Sequence, residues 1–470
     1  MENNVVEEAS LKKGIVIVLM VNILNLLLRL LLNFMMPKYM HVDVYADYKF
    51  YQLLVGYIGM LHFGYVDGVY IKFGGKNIKG ISEEEIGRSL TSLLVMEVIV
   101  TGIVVIIGII THQPTVLIAA TAIIPTEIMW LFQYIYQATG EFKKYGSITS
   151  LNIVLLFTFI SFLMLCGSQN SYLYMGAYSL VMLIIATLLQ LKSGIRFKKK
   201  WFNYKSIIDT CINNIKIGVF VMIGNFASQL LTSMDRWFIK LLMTPADFAQ
   251  YSFAASLEAF LSVAISPFSV TLYNFFCRYP SKEEVKKIEE QIYVFAVMII
   301  GCAFPAKWIL EHFIPKYLSA SDVMFYLFAS KGFNIVIVCI FVNLYKAMKM
   351  QHAYSKKIVF VLVTGFVTNI SMYYLLRTKE AFAIATLITI FIWFLFCKIE
   401  FRQYRLSVQA EAYLILEIAM FIVIGKMLDS VIGFVGYYLI TVVLSLLLMR
   451  KASLSIISTV IGVIRKRTNM

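Results

Sequence analysis

The chain has 470 residues, of which 60% are hydrophobic and only 15% charged, with a mean hydropathy of +0.78. Ordinary soluble domains carry about 25% charged residues, so this composition excludes a soluble enzyme and points to an all-α polytopic membrane protein. The net charge of +15 is expected to be mostly topological, matched to an anionic inner leaflet, and calls for no nucleic-acid partner.

Windows of about 20 apolar residues mark fourteen spans in chain order: 14–36, 48–66, 89–111, 115–137, 146–166, 172–191, 213–235, 248–272, 291–313, 321–345, 355–376, 381–399, 412–428 and 432–449. The start, MENNVVEEASLKK, holds acidic residues and leads into the first span with no small-residue cleavage site, so it is expected to be retained, with no signal peptide. Within that span Asn22, Asn25, Arg29 and Asn33 fall at steps of three, four and four, which places them on one helix face. The second span is broken by His62 and glycines; the third holds Glu97, and the fourth holds Glu127 just after Pro125. The seventh repeats the polar stripe as Asn225, Ser228, Thr232 and Arg236, each 203 positions beyond its counterpart. Glu258 lies in the eighth span, Lys307 in the ninth, Lys331 in the tenth, and Glu417 in the short thirteenth. Unpaired polar groups are costly in hydrocarbon, so both stripes are expected to face the interior of a helix bundle.

Aligning residues 14–54 on 217–257 without gaps gives ten identities in forty-one pairs, including Asn22/Asn225, Ala46/Ala249, Tyr48/Tyr251 and Phe50/Phe253. An even number of spans separates the copies, so both have the same orientation, the parallel-repeat plan of two-lobed transporters. The expected organisation is a first lobe at 1–200 with spans one to six and a second at 201–405 with spans seven to twelve. Residues 406–470 add spans thirteen and fourteen and a basic amphipathic tail around 451–467 outside the repeat.

Lysine and arginine near span ends are retained on the cytoplasmic side. Assigned to the nearer span end with the N-terminus inside, they split 31 to 9 in favour of the inside, with Arg29 and Lys331 in span interiors. Both termini are therefore expected in the cytoplasm. The six cysteines show no paired spacing, so neither a disulfide framework nor a metal site is expected, and no cofactor. Loops expected outside are roughly ten residues or fewer, which leaves no external domain for soluble chemistry.

Two runs carry a family likeness: LHFGYVDGVYIKFGGK at 61–76 and SMDRWFIKLLMTPADFAQYSFAAS at 233–256, centred on Asp67-Gly68 and Asp235-Arg236. With the helical layout, they resemble bacterial oligosaccharide flippases, the Wzx-type members of the polysaccharide transporter family. That family lies in the MOP superfamily, which also holds multidrug and toxin extrusion antiporters. The resemblance implies a non-enzymatic, two-lobed carrier in the bacterial inner membrane. It would move a polyprenyl-pyrophosphate-linked oligosaccharide, such as an O-antigen (lipopolysaccharide), capsule or exopolysaccharide repeat unit, to the outer leaflet, beside polysaccharide-assembly enzymes. Asp67, Gly68 and Asp235 would be gating or structural positions.

A pyrophosphate cannot cross hydrocarbon unaccompanied, so its path needs cations at membrane depth. Arg29 is the first candidate because a guanidinium stays charged and offers phosphate a planar fork of donors. Lys331 and Lys307 extend such a path, with Arg236 toward the outer end of its span. Asn22, Asn25, Asn33, Asn225 and Thr232 would hydrogen-bond sugars, and Tyr48 and Tyr251 are the repeat-related aromatics. The plainer alternatives are Arg29 paired with Glu97 or Glu127, Lys307 and Arg236 snorkelling to the surface, and the amides joining helices. Glu127, Glu258 and Glu97 are the candidates to carry a coupling proton or sodium ion. An antiporter for drugs or ions is the nearest rival, although fixed cations at depth repel a cationic drug. A polymerase or ligase would need a substantial external loop. There is no GxxxxGK[ST] run for ATP, and the facilitator-superfamily loop motif is only echoed by Gly64 and Asp67.

Overall fold

The structure is a computed structural model that describes residues 2–195, 199–278, 280–404, 406–456 and 458; for 2–16, 199, 200 and 264 it describes the backbone alone. Most of the expected basic tail lies outside the described residues. Among the described residues there are helices and no strands. A lipid environment demands this, because a helix satisfies every interior backbone N–H and C=O within its own segment.

In chain order the helices are α1 (Glu2–Tyr39), α2 (Val42–Leu61), α3 (Tyr65–Phe73), α4 (Glu83–Ile110), α5 (Pro114–Ala138), α6 (Phe142–Leu165) and α7 (Ser171–Ser193). They continue as α8 (Tyr204–Leu242), α9 (Pro245–Phe276), α10 (Lys282–Phe313), α11 (Ala320–Ala347), α12 (Gln351–Leu376), α13 (Lys379–Glu400), α14 (Val408–Met427) and α15 (Ser430–Leu448). Among the described residues thirteen helices are long and apolar enough to cross a membrane, and the bent pair α2–α3 makes a fourteenth. All fourteen expected spans correspond to these helices.

Helix starts follow local chemistry. Ser82, Thr244 and Ser407 each accept a backbone N–H of the first turn, and Ser281 with Glu284 forms a reciprocal capping box. Pro114 and Pro245 sit in first turns, where the missing N–H costs nothing. The break that the sequence shows at His62 is a 57° bend between α2 and α3. It turns on Phe63 and Gly64, at φ 52° and 86°, a left-handed backbone that glycine adopts without strain.

The chain divides into two compact units, Met1–Ser233 and Met234–Met470. In the first, α5 packs on α2, α3, α4, α6 and α7, and α1 packs on α6. In the second, α11 packs on α9, α10, α13 and α14, and α15 packs on α10 and α14. Burial agrees: the apolar stretch of α5 is 61% buried in the first unit, and those of α11 and α10 are 83% and 61% buried in the second.

Within the first unit α3 crosses α8 backbone to backbone. A Cβ at Gly64 would stand 2.7 Å from Gly218, one at Gly68 would overlap the Asn214 carbonyl, and one at Gly218 would overlap the Gly64 carbonyl. Small residues let membrane helices approach this closely, and dispersion between backbones then supplies the attraction. Gly68, expected as gating or structural, thus lies at a helix crossing.

Candidate functional site

Helix α1 buries Val21, Leu32 and Met36, and Val21 packs where α6 has only Gly146. That register turns the polar stripe partly outward. Asn22 and Arg29 are exposed, Asn25 is half-buried and donates to the Val21 carbonyl at 3.3 Å, and Asn33 is buried and accepts from Lys49 Nζ at 3.2 Å. Among the described residues Arg29 has no ion pair. The acids named as its alternative partners lie buried, and among the described residues all four carboxylate oxygens of Glu97 and Glu127 are without a hydrogen-bond partner.

Arg29 instead acts electrostatically on Tyr48 and Tyr178. These rings belong to an aromatic group in which Tyr48 stacks on Tyr51 at 6.3 Å and meets the Tyr174 edge at 6.4 Å, while Tyr51 meets Tyr178 at 5.8 Å. Tyr51 shares a 3.0 Å hydrogen bond with Ser179, to which Thr121 also donates. Tyr48, Tyr51 and Tyr174 are fully buried, so the exposed Arg29 is the part of this group open to an anion, for which its planar fork of donors is suited.

The α2–α3 bend opens a cavity of about 300 Å³ lined by His62, Asp67, Trp130, Tyr134, Asn225 and Gln229, among others. The Gly64 N–H donates to His62 Nδ1 at 3.0 Å, which leaves Nε2 facing Asp67 at 3.9 Å. Asn225 Nδ2 donates to Asp67 Oδ1 at 3.5 Å, and Glu127 interacts electrostatically with both Asp67 and Glu97. His62 and Asp67 therefore meet at this cavity, and Glu97 and Glu127 are buried in the same unit. Ser228 lines the same cavity, and Thr232 is exposed with its hydroxyl bonded to the carbonyls of Ser228 and Gln229.

In the second unit Tyr251, fully buried like its counterpart Tyr48, donates to Asp235 Oδ2 at 2.5 Å, and Asp235 accepts from the Arg236 N–H at 2.7 Å. Lys331 pairs with Glu258 at 2.7 Å and donates to Ser262 Oγ at 2.7 Å. Lys307 does not snorkel. It is buried and donates to the Gly425 and Leu428 carbonyls at 2.9 and 2.7 Å, filling the acceptors that the end of α14 leaves open. Its ammonium serves a helix terminus.

Sequence reasoning missed two groups. His62, Gln229, Trp130 and Tyr134 meet only through the bend, for which the one signal was the interruption of the second span. Lys398 pairs with Glu289 at 2.8 Å and Glu411 at 2.6 Å, and the Tyr293 hydroxyl lies 3.2 Å from the first and 3.0 Å from the second, with one proton to donate to either. These four come from α10, α13 and α14, and nothing in their local sequence announces the meeting.

No protein-family model matches the chain, and no curated protein matches it. Among solved structures the fold is similar to "Lipid II flippase MurJ, inward closed conformation", with TM-score 0.58 and 12% identity over 93% of this chain and 99% of that one. It also aligns with a point variant of VcmN, a multidrug and toxin extrusion transporter of Vibrio cholerae, at TM-score 0.43 and 12% identity over 84% and 95% of the two chains. At such identity the MurJ likeness concerns the fold: an all-helical, multi-pass membrane protein with the chain path of that structure.

Proposed function

We propose that the chain is a flippase of the MOP superfamily that moves a polyprenyl-pyrophosphate-linked oligosaccharide across the bacterial inner membrane. The observation that carries this reading is Arg29: an exposed guanidinium on a membrane span, with no ion pair among the described residues, on a face shared with Asn22 and Asn25. An unneutralised cation at depth is costly unless water or a ligand meets it, and a planar fork of donors fits phosphate oxygens. Asn22 and Asn25 on that face serve the sugars, and the buried Tyr48, Asn33 and Tyr251, with Arg236 and the Lys331–Glu258 pair, would reach the cargo only when the units change state.

In this reading the units alternate access to the two leaflets while the polyprenyl tail stays in lipid, and no covalent chemistry occurs. Both termini are cytoplasmic, and the glycan comes from polysaccharide-assembly enzymes on that side. Glu97 and Glu127 are the coupling acids, because buried carboxyls without partners are the groups a proton or sodium ion would visit; Glu258 is already held by Lys331.

The test is reconstitution in vesicles with labelled lipid-linked oligosaccharide. Arg29→Ala is expected to abolish flipping, and Arg29→Lys, which keeps charge but loses the fork, to retain part of it. Equal flipping by wild type and Arg29→Ala refutes the reading. Glu127→Gln is expected to remove dependence on an imposed proton or sodium gradient, and unchanged gradient dependence removes Glu127 from the coupling site.

A further inference from the structure

A pocket of about 560 Å³ opens on the first unit where α4 and α6 begin and α5 and α7 end. Its floor is the core itself: Phe132, Ile135, Ile148, Ile185 and Leu189 all belong to the buried hydrophobic cluster. Leu151 and Leu188 continue the apolar wall outward and are exposed. The rim is ionic, with Lys143, Lys144 and Lys192 against the single carboxylate of Glu83. Lys144 pairs with Glu141 at 3.4 Å. Lys143 and Lys192 are exposed and have no ion pair among the described residues.

The pocket thus joins two surfaces that different molecules would want. A free phosphate would use the lysines and leave the apolar floor wet; a neutral lipid would use the floor and leave two ammoniums unanswered. One chemistry satisfies both: a phosphate ester bearing hydrocarbon. The position agrees, because the lysines stand at the ends of helices long enough to cross a membrane and the apolar lining continues along those helices. Basic pockets between membrane helices are recognised headgroup sites, and the volume lies within the range of small-ligand cavities.

We propose that this pocket holds one anionic phospholipid, with its phosphate between Lys143 and Lys192 and an acyl chain on the Phe132–Leu189 floor. The lipid is a fixed component of the first unit and not cargo, so the proposal does not rest on the flippase reading.

The test is native mass spectrometry of the full-length protein in detergent, titrated with phosphatidylglycerol, phosphatidylcholine or glycerol 3-phosphate. Wild type is expected to bind one phosphatidylglycerol per chain well below the concentration at which phosphatidylcholine adds. Lys143→Gln with Lys192→Gln is expected to weaken that binding about thirtyfold, two ammonium contacts at a membrane surface. Leu151→Trp fills the slot and is expected to block the lipid with all lysines in place; Leu188→Trp does the same from the other wall if Leu151→Trp does not fold. Equal binding of the two phospholipids overturns the proposal, as does unchanged phosphatidylglycerol binding in the lysine variant. Binding of glycerol 3-phosphate as tight as that of the lipid, or lipid loss in the lysine variant but in neither tryptophan variant, also overturns it and leaves a plain anion site.

Discussion

Lys398→Met tests what holds the second unit together. The ammonium lies 2.8 Å from Glu289 and 2.6 Å from Glu411, Glu289 has no exposed surface, and the Tyr293 hydroxyl has only one proton to give the two acids. Removing the cation leaves two carboxylates facing each other in a mostly enclosed site. Breaking a buried ion pair from one side costs about 3–5 kcal/mol. Melting points of units of roughly this size shift by about 2–4 °C per kcal/mol, so Lys398→Met should melt about 6–20 °C below wild type in detergent. Removing the acids as well, with Glu289→Gln and Glu411→Gln, should restore most of the loss, because replacing a whole buried ionic group is often neutral. A single variant that melts with wild type, or a triple variant that melts below the single one, would refute the reasoning.

Two further outcomes follow from the packing. Gly218→Ala adds a methyl where only backbone stands, and overpacking of this kind costs about 1–3 kcal/mol. Gly224→Ala, on the same helix with open space around it, should be neutral or gain about 0.5–1 kcal/mol; thermal melts of the pair in detergent should therefore move apart, and coincident melts would contradict the crossing. Lys307→Met uncovers the carbonyls at the end of α14 and should cost about 1.5–3 kcal/mol, and under the proposed function transport per folded molecule should stay unchanged. A loss of transport at wild-type stability would return Lys307 to the substrate path.

The spans were legible because a bilayer writes its thickness into the sequence: runs of apolar residues long enough to cross were found as α1, α4 to α15 and the α2–α3 pair. The bend was legible only as a fault, since His62 and Gly64 interrupt a pattern without saying which way the chain turns. Side-chain partners were the least legible. Lys307 read as a cation near a surface because the carbonyls that bind it lie at Gly425 and Leu428, more than a hundred positions away, and an open helix end has no residue type of its own. Lys331 read as a free charge for the same reason, its partner Glu258 being on another helix. Arg29 was ambiguous between an acid partner and none. The packing of α1 on α6 and the burial of Glu97 and Glu127 decide between them, and neither can be seen in a linear pattern.

The α3–α8 crossing makes an asymmetric demand on variation. A position already reduced to hydrogen has nothing to lose, so every mutation open to Gly68 or Gly218 adds atoms to a gap that holds none. Drift at leucines and valines elsewhere can be answered by a neighbour changing size, but no compensating residue exists for a clash with main chain. Descendants of this sequence should therefore scatter almost everywhere else before they scatter there, and the glycine pair becomes a fixed mark by which distant kin can be aligned.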